Sequence, residues 1–171
     1  RGAAGFDQFV AFGDSTLDTG YFRYNPTGIP ALDQAVAAAV SAGAKGGFAG
    51  NGVMNTTQLA GRFGLGAEAV GNGGTNFANG GAHTVADVLP NVATVQQIGN
   101  YLSSVAGVAN PRGLYVIGTG SNDLLYVSRQ SADWVAAHPT YLNDLIVTLS
   151  AEVATLQAAG ARTILVTNPY T

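Results

Sequence analysis

Short apolar runs closed by small or polar loops alternate along the chain with stretches whose apolar residues recur every three to four positions. Phe9-Val10-Ala11-Phe12 and Leu114-Tyr115-Val116-Ile117 are continuous runs of strand length, and residues 163–166 form a third; such runs suit strands buried within a sheet. A further strand is predicted near residues 68–70. Residues 55–63 begin with polar Asn55 and Thr56 and are followed by Gly64, which predicts a short helix. Val92, Val95, Ile98, Leu102 and Val105 fall on one helical face, with Asn110-Pro111 ending that element. Residues 141–159 predict a long helix stopped by Gly160. Strand and helix in alternation imply a three-layer α/β fold, a parallel sheet with helices on both faces.

One stretch breaks the alternation. Residues 20–52 carry Pro26, Pro30 and glycines at 43, 46, 47, 50 and 52, and read as a mobile insertion within which 31–42 can form a helix. The 171 residues suit one domain of ordinary size and contain no internal repeat. With 47% hydrophobic residues, 24 glycines and 10% charged residues, the chain is globular and loop-rich. A net charge of -3, with no cluster of Lys or Arg, argues against a nucleic-acid partner and against docking on an anionic membrane. No cysteine is present, which excludes disulfides, thiolate metal sites and a cysteine nucleophile. No apolar stretch reaches the roughly 18 to 20 residues that cross a bilayer. The low charge and many Gly, Asn and Thr residues lean toward an exported bacterial protein. The chain begins at Arg1, so any signal peptide is expected to have been removed already.

The chemistry concentrates after the first strand. Gly13-Asp14-Ser15-Thr16 puts a serine on the tight turn leaving a buried strand, at the carboxyl edge where open α/β sheets bind ligands. Taken alone, Gly-Asp-Ser is a common turn composition. Two later segments add weight: residues 71–82, Gly-Asn-Gly-Gly-Thr-Asn-Phe-Ala-Asn-Gly-Gly-Ala, and residues 114–123, which end in Gly118-Thr119-Gly120-Ser121-Asn122-Asp123. Each follows or contains a strand-like run and opens into a small-residue loop, so three loops are expected to gather at one sheet edge.

In order and spacing these three blocks resemble the SGNH, or GDSL-type, serine esterases and lipases, from about Phe9 to the end of the chain. The resemblance implies a flavodoxin-like SGNH-hydrolase fold and gives the loops roles. Ser15 would be the nucleophile that forms an acyl-enzyme. The backbone N–H groups of Ser15 and Gly81 and the side-chain amide of Asn122 would be the oxyanion donors. Counting five residues on from Asn76 selects Gly81, with Gly80 as the runner-up. Asp14 and Asp18 are expected to organise the nucleophile turn rather than serve as the triad acid, because a short carboxylate readily accepts backbone N–H bonds. Asp123 is expected to order its own loop beside a helix N-terminus. Thr16 departs from the family's more frequent leucine, at a position that usually packs behind the turn. No cofactor is implied.

The family's Asp-x-x-His block, which supplies the base, is missing. The two histidines, His83 and His138, lack an aspartate two to three residues before them and read as polar loop residues; no ligand cluster accompanies them to hold a metal. The chain is therefore expected to be the amino-terminal portion of a single catalytic domain, incomplete at the carboxyl end. A complementary fragment or chain would bring the Asp and His, and the substrate would be a small ester or lipid. A non-catalytic ligand- or glycan-binding module on the same fold is the alternative. A nucleotide site is disfavoured, since no Gly-x-Gly-x-x-Gly opens a helix after the first strand and no Gly-Lys-Ser or Gly-Lys-Thr occurs. Tyr21, Phe22, Tyr24 and Phe48 of the insertion are candidates to line an acyl site. Relatives with this style of glycine block are often exported bacterial esterases, some carried by autotransporter barrels, and the resemblance implies a secreted or cell-surface location.

Overall fold

Residues 5–47 and 50–169 are described by the computed structural model. The two central apolar runs become strands β1 (Gln8–Gly13) and β2 (Gly113–Gly118), and the third becomes β3 (Thr163–Thr167). All pair in parallel in the order β1-β2-β3, with Gln8 opposite Gly113 through Gly13 opposite Gly118, and Leu114 opposite Thr163. Because successive side chains alternate faces, Val10, Phe12, Tyr115 and Ile117 build one core layer while Phe9, Ala11, Leu114 and Val116 build the other. The helices are α1 (Tyr21–Tyr24), α2 (Pro30–Ser41), α3 (Asn55–Gly61), α4 (Thr94–Ser104), α5 (Ser121–Ser128), α6 (Ala132–Ala137) and α7 (Tyr141–Ala158). Ile98 and Tyr101 of α4 and Leu156 of α7 cover the first layer, and Ala60 of α3 covers the second. The chain thus has the expected three-layer parallel α/β fold.

Three expectations are corrected. Residues 68–70 do not form a strand: Ala69 makes only an isolated bridge to Asn76. The edge beside β1 is taken instead by the glycine block, where Ala11 donates to Thr75 O, Phe77 to Ala11 O and Asn79 to Gly13 O. The buried face of α4 is centred on Thr94, Gln97, Ile98 and Tyr101, and Val92, Val95, Leu102 and Val105 are half-buried around it. Polar Thr94 and Gln97 occupy core positions because their hydrogen bonds go to loops at the carboxyl edge of the sheet: Gln97 to Gly13, and Thr94 to Thr119 and His83. The insertion is folded rather than loose. It holds α1 and α2, Arg23 donates to Ala44 O (2.7 Å) and Gly46 O (2.5 Å), and Asn25 Nδ2 reaches Val70 O at 2.8 Å.

A tyrosine pair closes the far end of the first layer. Tyr115 donates its hydroxyl to Asn110 O at 2.8 Å, so the 2.8 Å contact with Tyr101 is one in which Tyr101 donates. Burial raises the Tyr115 phenol well above its ordinary value of 10.0. The folded state keeps the phenol neutral while the unfolded chain ionises, so this stabilisation is complete below about pH 10 and is lost as pH rises further. Tyr115→Phe is expected to cost about 1 kcal/mol at neutral pH and to flatten the alkaline fall in stability; denaturant titrations at pH 7 and above pH 10 check both.

Candidate active site

Gly13 ends β1 so close to β2 that a Cβ there would lie 1.9 Å from Gly118 O. Only glycine permits this approach, and the chain then turns sharply. The Gln97 side chain holds both polar atoms of Gly13: its Oε1 accepts from Gly13 N at 2.8 Å and its Nε2 donates to Gly13 O at 2.9 Å. Asp14 N donates to Gly118 O (3.2 Å), and Asp14 O accepts from Leu17 N and Asp18 N (3.1 Å each). Ser15 sits exposed on the crest of this turn.

Both nearby aspartates accept hydrogen bonds from the turn and its neighbours. Asp14, 1% exposed, accepts from Thr16 N (2.9 Å) and Thr16 Oγ1 (2.8 Å), so the threonine that replaces the family's leucine contributes its hydroxyl to the turn. Asp18, wholly buried, accepts from Gly20 N (2.7 Å) and Tyr21 N (2.8 Å) through one oxygen and from Gly80 N (2.9 Å) through the other. Burial pushes both carboxyls above their ordinary value against the pull of these donors.

That last bond ties the serine turn to the glycine block. The Gly80 N–H is taken by Asp18, and Gly81 follows it at φ +86°. The left-handed backbone at Gly81 favours glycine, and a Cβ there, 2.6 Å from Asn91 Nδ2, would require the Asn91 amide to shift. Asn76 and Asn79 brace the same block from within: Asn76 Nδ2 donates to Leu17 O (2.8 Å), and Asn79 exchanges two 3.1 Å bonds with the backbone of Val92.

Asn122 stands in the first turn of α5 and donates one amide proton to Ala82 O at 2.8 Å. Asp123, 2% exposed, does more than order its own loop. It accepts from Thr84 N (3.0 Å) and Thr84 Oγ1 (2.7 Å), and His83 Nδ1 lies 3.4 Å from its other oxygen. Thus Ser15, Gly81 and Asn122, distant in sequence, lie on loops bonded directly to one another. Gln97, Thr84 and the His83–Asp123 contact escaped the sequence reading. A glutamine and a threonine on the apolar face of α4 were the signal that this helix serves polar backbone.

His83, read as a polar loop residue, lies in a loop with its Nδ1 beside the Asp123 carboxylate. His138 ends α6, stacks on Trp134 at 4.1 Å and places Nδ1 2.7 Å from Trp134 O. Among the described residues no hydrogen bond joins either histidine to Ser15. Phe22 of the insertion is buried with Tyr21 edge-on at 5.3 Å, while Tyr24 is exposed; Phe48 lies outside the described residues. A cavity of about 570 Å³ opens between α5, α7 and β3, apolar along Leu142, Leu149 and Val166 and polar where Thr84 and Asp123 meet it.

A parallel sheet between helices, with an exposed serine after its first strand and a glycine loop and an asparagine helix on the same edge, is consistent with the SGNH-type α/β fold. The GDSL-like lipase/acylhydrolase family model matches residues 9–171, and the chain belongs to that family, whose members are ester-type hydrolases. It is 36% identical over 104 residues to a protein named Lipase 1 from Photorhabdus luminescens. That alignment covers 60% of this chain and 16% of the relative, so the chain spans a small part of that protein's length.

Proposed function

We propose that this chain supplies the nucleophile and the oxyanion donors of a serine carboxylic-ester hydrolase. The observation that carries the reading is the direct bonding of the three loops, Asp18 to Gly80 at 2.9 Å and Asn122 to Ala82 at 2.8 Å, which groups Ser15, Gly81 and Asn122 at one sheet edge. Ser15 Oγ attacks the ester carbonyl carbon while its proton passes to a base. The carbonyl oxygen, now negative, takes hydrogen bonds from Ser15 N–H, Gly81 N–H and the Asn122 amide. Collapse returns the proton to the leaving alcohol and leaves an acyl-serine, which water cleaves by the same steps.

The base and its aspartate come, in this reading, from a segment outside residues 1–171, folded against β3 and α7. That face supports the idea, because Leu165 and Val166 of β3 are 45% and 52% exposed and Ile146 and Val147 of α7 are 62% and 59% exposed. Exposed apolar side chains on a strand and a helix suit a contact with further protein. Incubating the full-length protein with a fluorophosphonate and mapping the adduct by mass spectrometry tests the nucleophile. A single adduct on Ser15 is expected, whereas an unreacted Ser15 would favour a binding module. Asn122→Ala is expected to lower kcat by roughly 10² to 10³ with KM little changed, measured on a soluble short-chain ester.

A further inference from the structure

Asn122 and Asp123, adjacent in the first turn of α5, grip three consecutive residues of the glycine loop: Asn122 holds Ala82, and Asp123 holds His83 and Thr84. We propose that Asp123 and Thr84 are positioning residues that set the spacing between the Gly81 and Asn122 oxyanion donors. This inference rests on the reading of Ser15, Gly81 and Asn122 given above.

The direction of the hydrogen bonds supports it. Thr84 Oγ1 gives its one proton to Asp123 at 2.7 Å, so in the 3.2 Å contact with Thr119 it is the acceptor and Thr119 donates. Thr119 in turn accepts from Thr94 Oγ1 at 2.8 Å. Three hydroxyls from α4, the end of β2 and the glycine loop thus point in series toward one buried carboxylate, an arrangement in which each bond polarises the next. The chain is grounded in the core through Thr94, which also donates its backbone N–H to His83 O at 3.0 Å.

The need for such a clamp follows from the chemistry. Oxyanion donors act only when they lie about 2.7 to 3.1 Å from the position of the developing negative oxygen. Asn122 must offer an amide proton to that oxygen while its other proton rests on Ala82, so it makes a poor sole anchor for the loop. Asp123 fixes the loop from behind, one residue along the same helix, and frees the Asn122 amide to face substrate. Asp18 performs the matching task on the serine side through Gly80.

The test uses the full-length protein and a short-chain p-nitrophenyl ester. Asp123→Ala is expected to lower kcat roughly 10- to 100-fold with KM within about twofold, the cost of misplacing a donor by about 1 Å. Thr84→Val should lower kcat in the same direction, and Thr84→Ser, which keeps the hydroxyl, should restore it. The double variant Asn122→Ala/Asp123→Ala should lose clearly less than the product of the two single losses, because part of the work of Asp123 is done through Asn122. Additive losses, or an unchanged kcat in Thr84→Val, overturn the proposal. Should Asp123→Ala not fold, the Thr84 pair decides the matter. Hydrogen exchange at residues 80–84, faster in Thr84→Val if the clamp exists and unchanged if it does not, reads the clamp without catalysis. An unreacted Ser15 in the fluorophosphonate experiment would instead sink the nucleophile assignment, so the two failures are distinguishable.

Discussion

Ser15→Ala in the full-length protein is expected to lower kcat for ester hydrolysis by roughly 10⁴-fold or more, leaving the fold and substrate binding intact. The loss is large because the covalent route disappears altogether, and only binding and the oxyanion donors remain to assist water. The fold should survive because the Ser15 side chain is exposed and the turn is held by other atoms: Gly13 by Gln97, Asp14 by Thr16 and Asp18 by Gly80. Steady-state kinetics beside a thermal melt separate the two effects. Turnover within tenfold of the parent protein would remove Ser15 from the chemistry.

The second large effect is on stability. Gly13→Ala should destabilise the chain by more than about 3 kcal/mol, because the new methyl cannot relax into free space. Its Cβ would sit 1.9 Å from Gly118 O and 2.8 Å from Gly118 C, both backbone atoms of the neighbouring strand. Relief requires β1 and β2 to separate at Gly13 and Gly118, where their pairing delivers the serine turn. Gly61→Ala provides the contrast: a Cβ there meets nothing within 4 Å, and the site lies at the end of α3. Alanine favours a helix over glycine by up to about 1 kcal/mol, so Gly61→Ala should be neutral or stabilising. Denaturant unfolding of both variants checks the pair, and equal effects would show that the close strand approach does not govern this edge.

The elements that could be read from the sequence are those whose signal is local. Three continuous apolar runs gave β1, β2 and β3, and a long apolar period with Gly160 after it gave α7, observed as Tyr141–Ala158. Residues 68–70 misled because Ala69 and Val70 are apolar beside a block that the eye reads as loop; yet Thr75 to Asn79 take the edge, since backbone groups of this block pair with β1. The α4 stripe was displaced for a related reason. Hydrophobic periodicity cannot see that Gln97 belongs inside, because its partner Gly13 is 84 positions away. Helices α5 and α6 gave little sign, being short, with Asp123 the one buried residue that their described positions hold. The positions of Ser15, Gly81 and Asn122 were legible through their small-residue motifs. The supports of those residues were not, since Asp123 and Thr84 lie 39 positions apart and meet only once the chain between them has folded.

Asp18 has one more consequence, which concerns how this protein can vary. Its first oxygen receives the N–H groups of Gly20 and Tyr21, where the insertion departs, and its second faces Gly47, where a Cβ would come within 2.4 Å. Departure and return of the excursion therefore converge on a single carboxylate. A loop pinned at its base can be lengthened, shortened or exchanged at small entropic cost, because closure entropy grows only with the logarithm of loop length. The excursion is in this sense an interchangeable part, whose residues between Tyr21 and Gly47 can be exchanged without disturbing the serine turn.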